Sequence, residues 1–259
     1  MNKAQETESG GLHLLYKNLG ETPLECMERF RKNNPEYKDE TMTYAGRLDP
    51  MAEGLLIVLS GKNTKEKEKH LNLPKTYIFE ILWGFETDSL DILGKVSGEN
   101  DFTPEVEDIQ NTIKKSIGRF IQRYPAYSSK PFMGMPLAWY TRLRGMVTFK
   151  LESALPSHEV EIFSINYISR RMIGEKQLLN EIIHKVDLVN GDFRQKEIKN
   201  EWIKNLKDQR QFIIDKIEVR VSRGFYIRQF ISDLSKELRT VATTFHIKRT
   251  KIGDFFVEN

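Results

Sequence analysis

Apolar and polar residues alternate along TYIFEILWG (76–84), HEVEIFSINYI (158–168) and KIEVRVSRG (216–224), the period of half-buried strands. Past Gly224 the period changes. Ile227, Ile231, Leu234 and Leu238 recur at i, i+4, i+7 and i+11 in YIRQFISDLSKELR, so the chain turns there from strand into amphipathic helix. PLECMERF predicts another helix, and the unbroken apolar run LLIVL (55–59) predicts a buried element. Strands interleaved with helices predict a mixed α+β architecture, read as a single domain. Residues 171–212 read as an inserted helical hairpin. QLLNEIIHKVDLVNG is stopped by Asn190 and Gly191, and KEIKNEWIKNLKD follows, both charged and amphipathic.

Composition narrows the class. At 259 residues with 39% hydrophobic content the chain is long enough to bury a core, and its net charge of +3 argues only weakly for an anionic partner. The charge is segregated, however. Residues 86–108 carry eight acids and one lysine, whereas 117–150 carry six Lys/Arg, no acid and seven aromatics, a candidate nucleic-acid surface. The lone Cys26 cannot form an intrachain disulfide, which fits a reducing compartment. LLIVL is far too short to span a membrane and the first ten residues hold no apolar core of a leader, so the expectation is a soluble, cytoplasmic protein. The five histidines are scattered without metal-ligand spacing, and no metal or cofactor is expected.

The chemistry gathers around Asp49. In GRLDP, Gly46 permits a positive φ or a close backbone approach, and Pro50 holds Asp49 extended. Alone, the carboxylate is a turn residue or a nucleophile. Its stretch, YAGRLDPMAEGLLIVLSGKNTK (44–65), is followed by KTYIFEILWGFETDSLDILGKV (75–96), RYPAYSSKPFMGMPLAWYTRLRG (123–145) and SRGFYIRQFISDLSKEL (222–238). In this order the four resemble the TruB family of pseudouridine synthases. The likeness runs from GLHLLYKNLGETPLECMERF (11–30) to FHIKRTKIGDF (245–255) and leaves mainly the helical insertion unmatched.

The resemblance implies the pseudouridine synthase fold, a mixed and mainly antiparallel central sheet flanked by helices. It implies an isomerase that flips a uridine out of RNA, breaks its glycosidic bond and rejoins the uracil through carbon without metal or cofactor. Asp49 matches the catalytic aspartate of that family, Arg228 in GFYIR the arginine that pairs with it, and Tyr77 in KTYIF the tyrosine that stacks on the base and is placed to take a proton. An ionised carboxylate under a flipped base needs a cation beside it, and a guanidinium can hold one bidentately. Alternation alone favours Tyr77 as a half-buried strand aromatic, and Arg228 alone reads equally as a solvated helix residue.

Tyr226 and Ile247 align with residues of the nucleotide pocket but are equally compatible with core positions. Tyr44, Arg47 and Lys130 complete the implied substrate-binding set. The basic stretch aligns with the RNA-gripping loop of the family, with Arg119, Arg123, Lys130, Arg142 and Arg144 toward phosphates. Tyr127, Phe132, Trp139 and Tyr140 supply faces for unpaired bases. The implied partner is RNA, in the bacterial branch the T-loop of tRNA, bound by a monomer.

Three departures bear on these expectations. Tyr44 stands where relatives often carry histidine, and Glu53 replaces a small residue close to Asp49, where a carboxylate that faced it would raise its pKa. The TDSLD loop (87–91), by contrast, resembles the loop of the family and reads as structural rather than catalytic. The chain stops at Asn259 just after the last matching motif, where relatives often continue into a PUA domain, so weaker tRNA affinity is expected. The insertion reads as a solvated accessory rather than an RNA arm. A non-catalytic RNA-binding module on the same scaffold is the principal rival, and a glycosidase-like pair of carboxylates the lesser one.

Overall fold

A computed structural model describes residues 5–6, 11–128, 130–132, 134–137, 141, 155–206 and 210–256. Among these a ten-stranded sheet runs in the order β1 (Gln5–Glu6), β2 (Leu12–Lys17), β4 (Ala52–Ser60), β13 (Ala242–Ile252), β5 (Lys75–Trp83), β12 (Gln211–Val221), β11 (Ser157–Gly174), β8 (Gly118–Arg123). Two strands pair off this path, β3 (Met42–Ala45) on β4 and β14 (Phe255–Phe256) on β13. Every pairing is antiparallel except β13 with β4. Two small hairpins lie outside the sheet, β6 (Phe85–Thr87) with β7 (Val96–Glu99) and β9 (Pro131–Phe132) with β10 (Met135–Pro136). The helices are α1 (Pro23–Asn33), α2 (Lys67–Asn72), α3 (Val106–Lys115), α4 (Glu175–Asp187), α5 (Gln195–Asn205) and α6 (Ile227–Glu237).

Periodicity explains which face meets what. In β5 the alternate residues Tyr77, Phe79 and Ile81 point to one side, where with Ile217 and Val219 of β12 they meet Phe230, Ile231 and Leu234 of α6 and Ile109 and Ile113 of α3. The other side carries Leu82, Phe212, Ile214 and Phe245, and there α4 and α5 bury Leu178, Ile182, Val186, Ile198 and Trp202. β4 lacks alternation because both its faces are covered. Leu55, Ile57 and Leu59 join a cluster with Leu12 and Ile252, while Leu56 and Val58 pack on Cys26, Met27 and Phe30 of α1. Thr22 and Glu25 close a capping box at the start of that helix.

The insertion departs from expectation in two ways. Its boundaries shrink to 175–210, since β11 and β12 stay paired out to Gly174 opposite Gln211. The SRRM run (169–172) stays in the strand, where Arg170 bonds a buried acid and Ile173 faces Phe212 and the helices. Nor is the hairpin a solvated accessory. It is an amphipathic layer whose apolar stripe, Trp202 included, covers one side of the sheet. Of its cations, Lys199 is paired with Asp187 at 2.6 Å and Arg210 with Asp101. Lys207 lies outside the described residues.

The buried acid is Asp215, fully inaccessible on β12. It accepts from the Trp83 indole and the Tyr167 hydroxyl, both at 2.7 Å, and from Nε and Nη2 of Arg170 at 3.0 and 2.9 Å. All three donors converge on one carboxylate across three strands. Asp215→Ala strands a half-buried cation and two donors, and is expected to cost about 2–4 kcal/mol, read as a lower urea midpoint at unchanged slope.

Candidate active site

Asp49 sits on the loop joining β3 to β4, and the sequence of that loop sets its shape. Gly46 has φ +89° and Gly54 has φ +109°, conformations that favour glycine. A Cβ on Gly54 would lie 2.3 Å from the Arg249 carbonyl oxygen, so only glycine lets β4 run beside β13 there. Arg249, 1% exposed, donates Nε to the Leu55 carbonyl at 2.8 Å and Nη1 and Nη2 to the Arg47 and Gly46 carbonyls at 3.4 Å. The Pro50 carbonyl accepts from the Gly20 N–H at 2.9 Å. The loop is thus held on both sides of the aspartate.

Arg228 enters from the first turn of α6, almost wholly buried. Its Nε donates to Asp49 Oδ2 at 2.9 Å, Nη1 to the Ser89 carbonyl at 2.7 Å and Nη2 to the Tyr127 carbonyl at 3.1 Å. The expected bidentate grip on Asp49 is therefore a single contact, because the rest of the fork is engaged by two backbone carbonyls. A second carboxylate, Asp91, lies 3.6 Å from Nε. Burial opposes the charge on Arg228, and the two carboxylates outweigh it, so its pKa is raised.

Asp91 is the residue that the reading of TDSLD passed over. The loop is structural as expected: Asp91 Oδ1 accepts from Ser89 Oγ at 2.7 Å and from the Leu93 N–H at 3.0 Å. The same carboxylate faces Arg228. Burial pushes its pKa up to about 6, against the pull of Arg228. The folded protein therefore binds a proton at Asp91 between its ordinary value of 3.8 and about 6, and the stability this contributes is lost as pH rises through that window. Asp91→Asn lacks the effect. Its unfolding free energy, measured against the wild type in urea, is expected to climb from pH 4 to pH 6 and to level off above.

Beside Asp49 opens a cleft of about 250 Å³, lined by Leu48, Ala52 and Tyr77, by Phe225, Tyr226 and Arg228, and by Ile247 and Arg249. That volume suits one small planar group rather than a large ligand. Tyr77 is 9% exposed on β5, Ile247 is buried on β13, and Arg47 stands exposed at the rim. Tyr226 is held at its backbone by Gln122, whose Oε1 accepts from the Tyr226 N–H at 2.9 Å and whose Nε2 donates to its carbonyl at 3.0 Å. Burial first, and then the Asp49 charge, push the Tyr226 hydroxyl up to about 12.

Six of the eight expected site residues thus meet at one place: Asp49, Tyr77, Arg228, Tyr226, Ile247 and Arg47. Tyr44 does not line the cleft; it packs on the Cys26 cluster with Lys67 Nζ 5.8 Å from its ring centre. Lys130 is exposed, 4.9 Å above the Tyr124 ring. Arg119 is paired with Glu161 at 3.2 Å. Trp139, Tyr140, Arg142 and Arg144 lie outside the described residues. Glu53 turns away from Asp49: it contacts His246 Nε2 at 3.1 Å and bonds Tyr16, and these partners with Lys248 lower its pKa despite burial. Among the described residues no three His, Cys, Asp or Glu side chains gather as a metal site, and no helix is long and apolar enough to cross a membrane.

Residues 35–181 match the model of the TruB family pseudouridylate synthase, N-terminal domain. The chain belongs to this family. It is 29% identical over 245 residues to a tRNA pseudouridine synthase B of Borrelia garinii subsp. bavariensis, covering 95% of this chain and 70% of that protein. It is also 29% identical over 248 residues to the protein of that name from Caldicellulosiruptor saccharolyticus, covering 96% and 69%. Among solved structures, a Cbf5-Nop10-Gar1 complex matches with TM-score 0.56 at 19% identity, and an H/ACA RNP bound to a substrate RNA containing 2'-deoxyuridine with TM-score 0.54 at 18%. Both likenesses cover 96% of this chain, which spans about half the length of those solved chains. The TruB fold is therefore shared across this sheet and its flanking helices, while Arg249 and Asp91 are site residues that sequence motifs alone did not single out. The available signal was charge in the middle of apolar strands and loops, since such residues are seldom buried unless paired.

Proposed function

We propose that this TruB-family chain isomerises uridine to pseudouridine in the T-loop of tRNA, as a cytoplasmic monomer, with Asp49 as nucleophile. The observation that carries the reading is one carboxylate, held by a buried guanidinium, at the mouth of a cleft sized for one base and walled by Tyr77 and Ile247. A uridine flipped into that cleft stacks on the phenol face, and flipping is least costly from a loop already partly unstacked. Asp49 attacks the ribose or the uracil, and the N1–C1′ bond breaks. The uracil turns and C5 bonds to C1′, an ester at C1′ being displaced in that step as the Asp49 carboxylate; the C5 proton then passes to Tyr77, N1 takes up a proton, and an ester on the uracil is expelled here instead. Arg228 keeps that carboxylate ionised under the base.

The test is pseudouridine mapping in unmodified tRNA transcripts incubated with the purified protein. The expected result is conversion at one T-loop uridine with more than one turnover per protein. Salt-sensitive binding without product would instead leave an RNA-binding module.

A further inference from the structure

We propose that Arg194, on the turn of the inserted hairpin, is a positioning residue that holds the entry wall of the Asp49 site; this rests on the RNA-modifying reading above. Arg194 adopts φ +64° immediately before α5, a left-handed conformation that costs a non-glycine residue and is kept because the turn is braced. Gln195 does the bracing. Its Oε1 accepts from the Phe193 N–H at 2.9 Å, and its Nε2 donates to the Val189 and Gly191 carbonyls at 2.9 and 2.8 Å.

The guanidinium then joins three segments far apart in sequence. Nη1 and Nη2 donate to the Asp88 carboxylate at 2.7 and 3.3 Å, and the guanidinium carbon lies 4.9 Å from the centre of the Tyr127 ring. The Tyr127 hydroxyl donates to the same Asp88 at 3.3 Å, while its carbonyl accepts from Arg228. Behind this lies a chamber of about 100 Å³ that shares Asp49 and Arg228 with the Tyr77 cleft and adds Asp91, Tyr127, Phe193 and Arg194. The basic, aromatic stretch of the chain continues from Tyr127.

The charge of Arg194 is met by Asp88, so it acts through Tyr127 rather than as a phosphate ligand. It is also not what docks the hairpin, since Leu178, Ile182, Val186 and Trp202 already do so. The insertion therefore reaches into the site from the far side of the sheet and fixes Tyr127, a member of the basic, aromatic stretch 117–150. Arg228 keeps its bonds to Asp49 and Ser89 without Arg194, so the effect falls on binding rather than on chemistry.

The experiment uses Arg194→Gly, which takes the left-handed backbone without strain, and Arg194→Lys, which keeps charge but not the planar fork. In the Asp49→Asn background, which retains unconverted uridine, Arg194→Gly is expected to weaken binding of an unmodified T-arm stem-loop about tenfold. Arg194→Lys is expected to fall between. With Asp49 present, kcat at saturating RNA stays within about threefold, and the thermal midpoint is unchanged. Equal affinity of Arg194→Gly and its parent overturns the proposal, as does a large fall in kcat at unchanged affinity. Absence of conversion by the wild type counts against the proposed reaction, and the affinity comparison still decides the role of Arg194.

Discussion

Arg228→Ala is expected to abolish uridine conversion and to lower stability by about 3–5 kcal/mol, the range for removing one partner of a buried ion pair. The guanidinium is only 3% exposed and meets four acceptors: two carboxylates and two backbone carbonyls. Its loss leaves Asp91 buried without a cation and brings Asp49 and Asp91 into unscreened repulsion. Since whole domains are stable by about 5–15 kcal/mol, the variant folds with a reduced margin. Arg228→Lys is no conservative change, because an ammonium cannot reach Asp49, Ser89 and Tyr127 from one plane. Adding Asp91→Asn to Arg228→Ala is expected to recover part of the stability and none of the activity. Urea unfolding and product assays separate the two losses. Conversion by Arg228→Ala within tenfold of the wild type contradicts the role assigned to the guanidinium.

Asp49→Asn is expected to reduce conversion by at least about 10³-fold while the fold and RNA binding persist, since the amide cannot form and release the covalent adduct. The side chain of Asp49 is 39% exposed and its loop is shaped by Gly46, Gly54 and Arg249 rather than by the carboxylate. The two variants are therefore predicted to differ in kind. Loss of Arg228 costs structure and chemistry, whereas loss of Asp49 costs chemistry alone.

The central strands are legible from alternation because the residues that meet α3 and α6 recur at every second position, and α6 is legible from its stripe of Ile227, Ile231 and Leu234. The meeting of Asp49, Tyr77 and Arg228 came from ordered motifs; no local period predicts that residues 179 positions apart lie 2.9 Å from one another. The insertion is legible in the sequence, but its packing is not. Charge along α4 and α5 suggested a solvated arm, and only the topology shows that Phe85, Phe212 and Phe245 need a cover. Glu53 was a concern only while its direction was unknown. Residues 52 and 53 of a strand face opposite ways, so Ala52 lines the cleft and Glu53 reaches His246. That geometry removes one of the two departures next to Asp49 in sequence, Glu53 and Tyr44. Tyr44, the other, packs on the cluster that β2, β4 and α1 form around Cys26.

The account rests on Asp49 as the nucleophile of an RNA isomerisation. The most direct test is site-resolved pseudouridine mapping in an unmodified tRNA transcript treated in parallel with the wild type and with Asp49→Asn. The predicted result is multiple-turnover conversion of one T-loop uridine by the wild type and none by the variant. Equal conversion by both proteins, or none by the wild type under conditions where it binds the transcript, contradicts it.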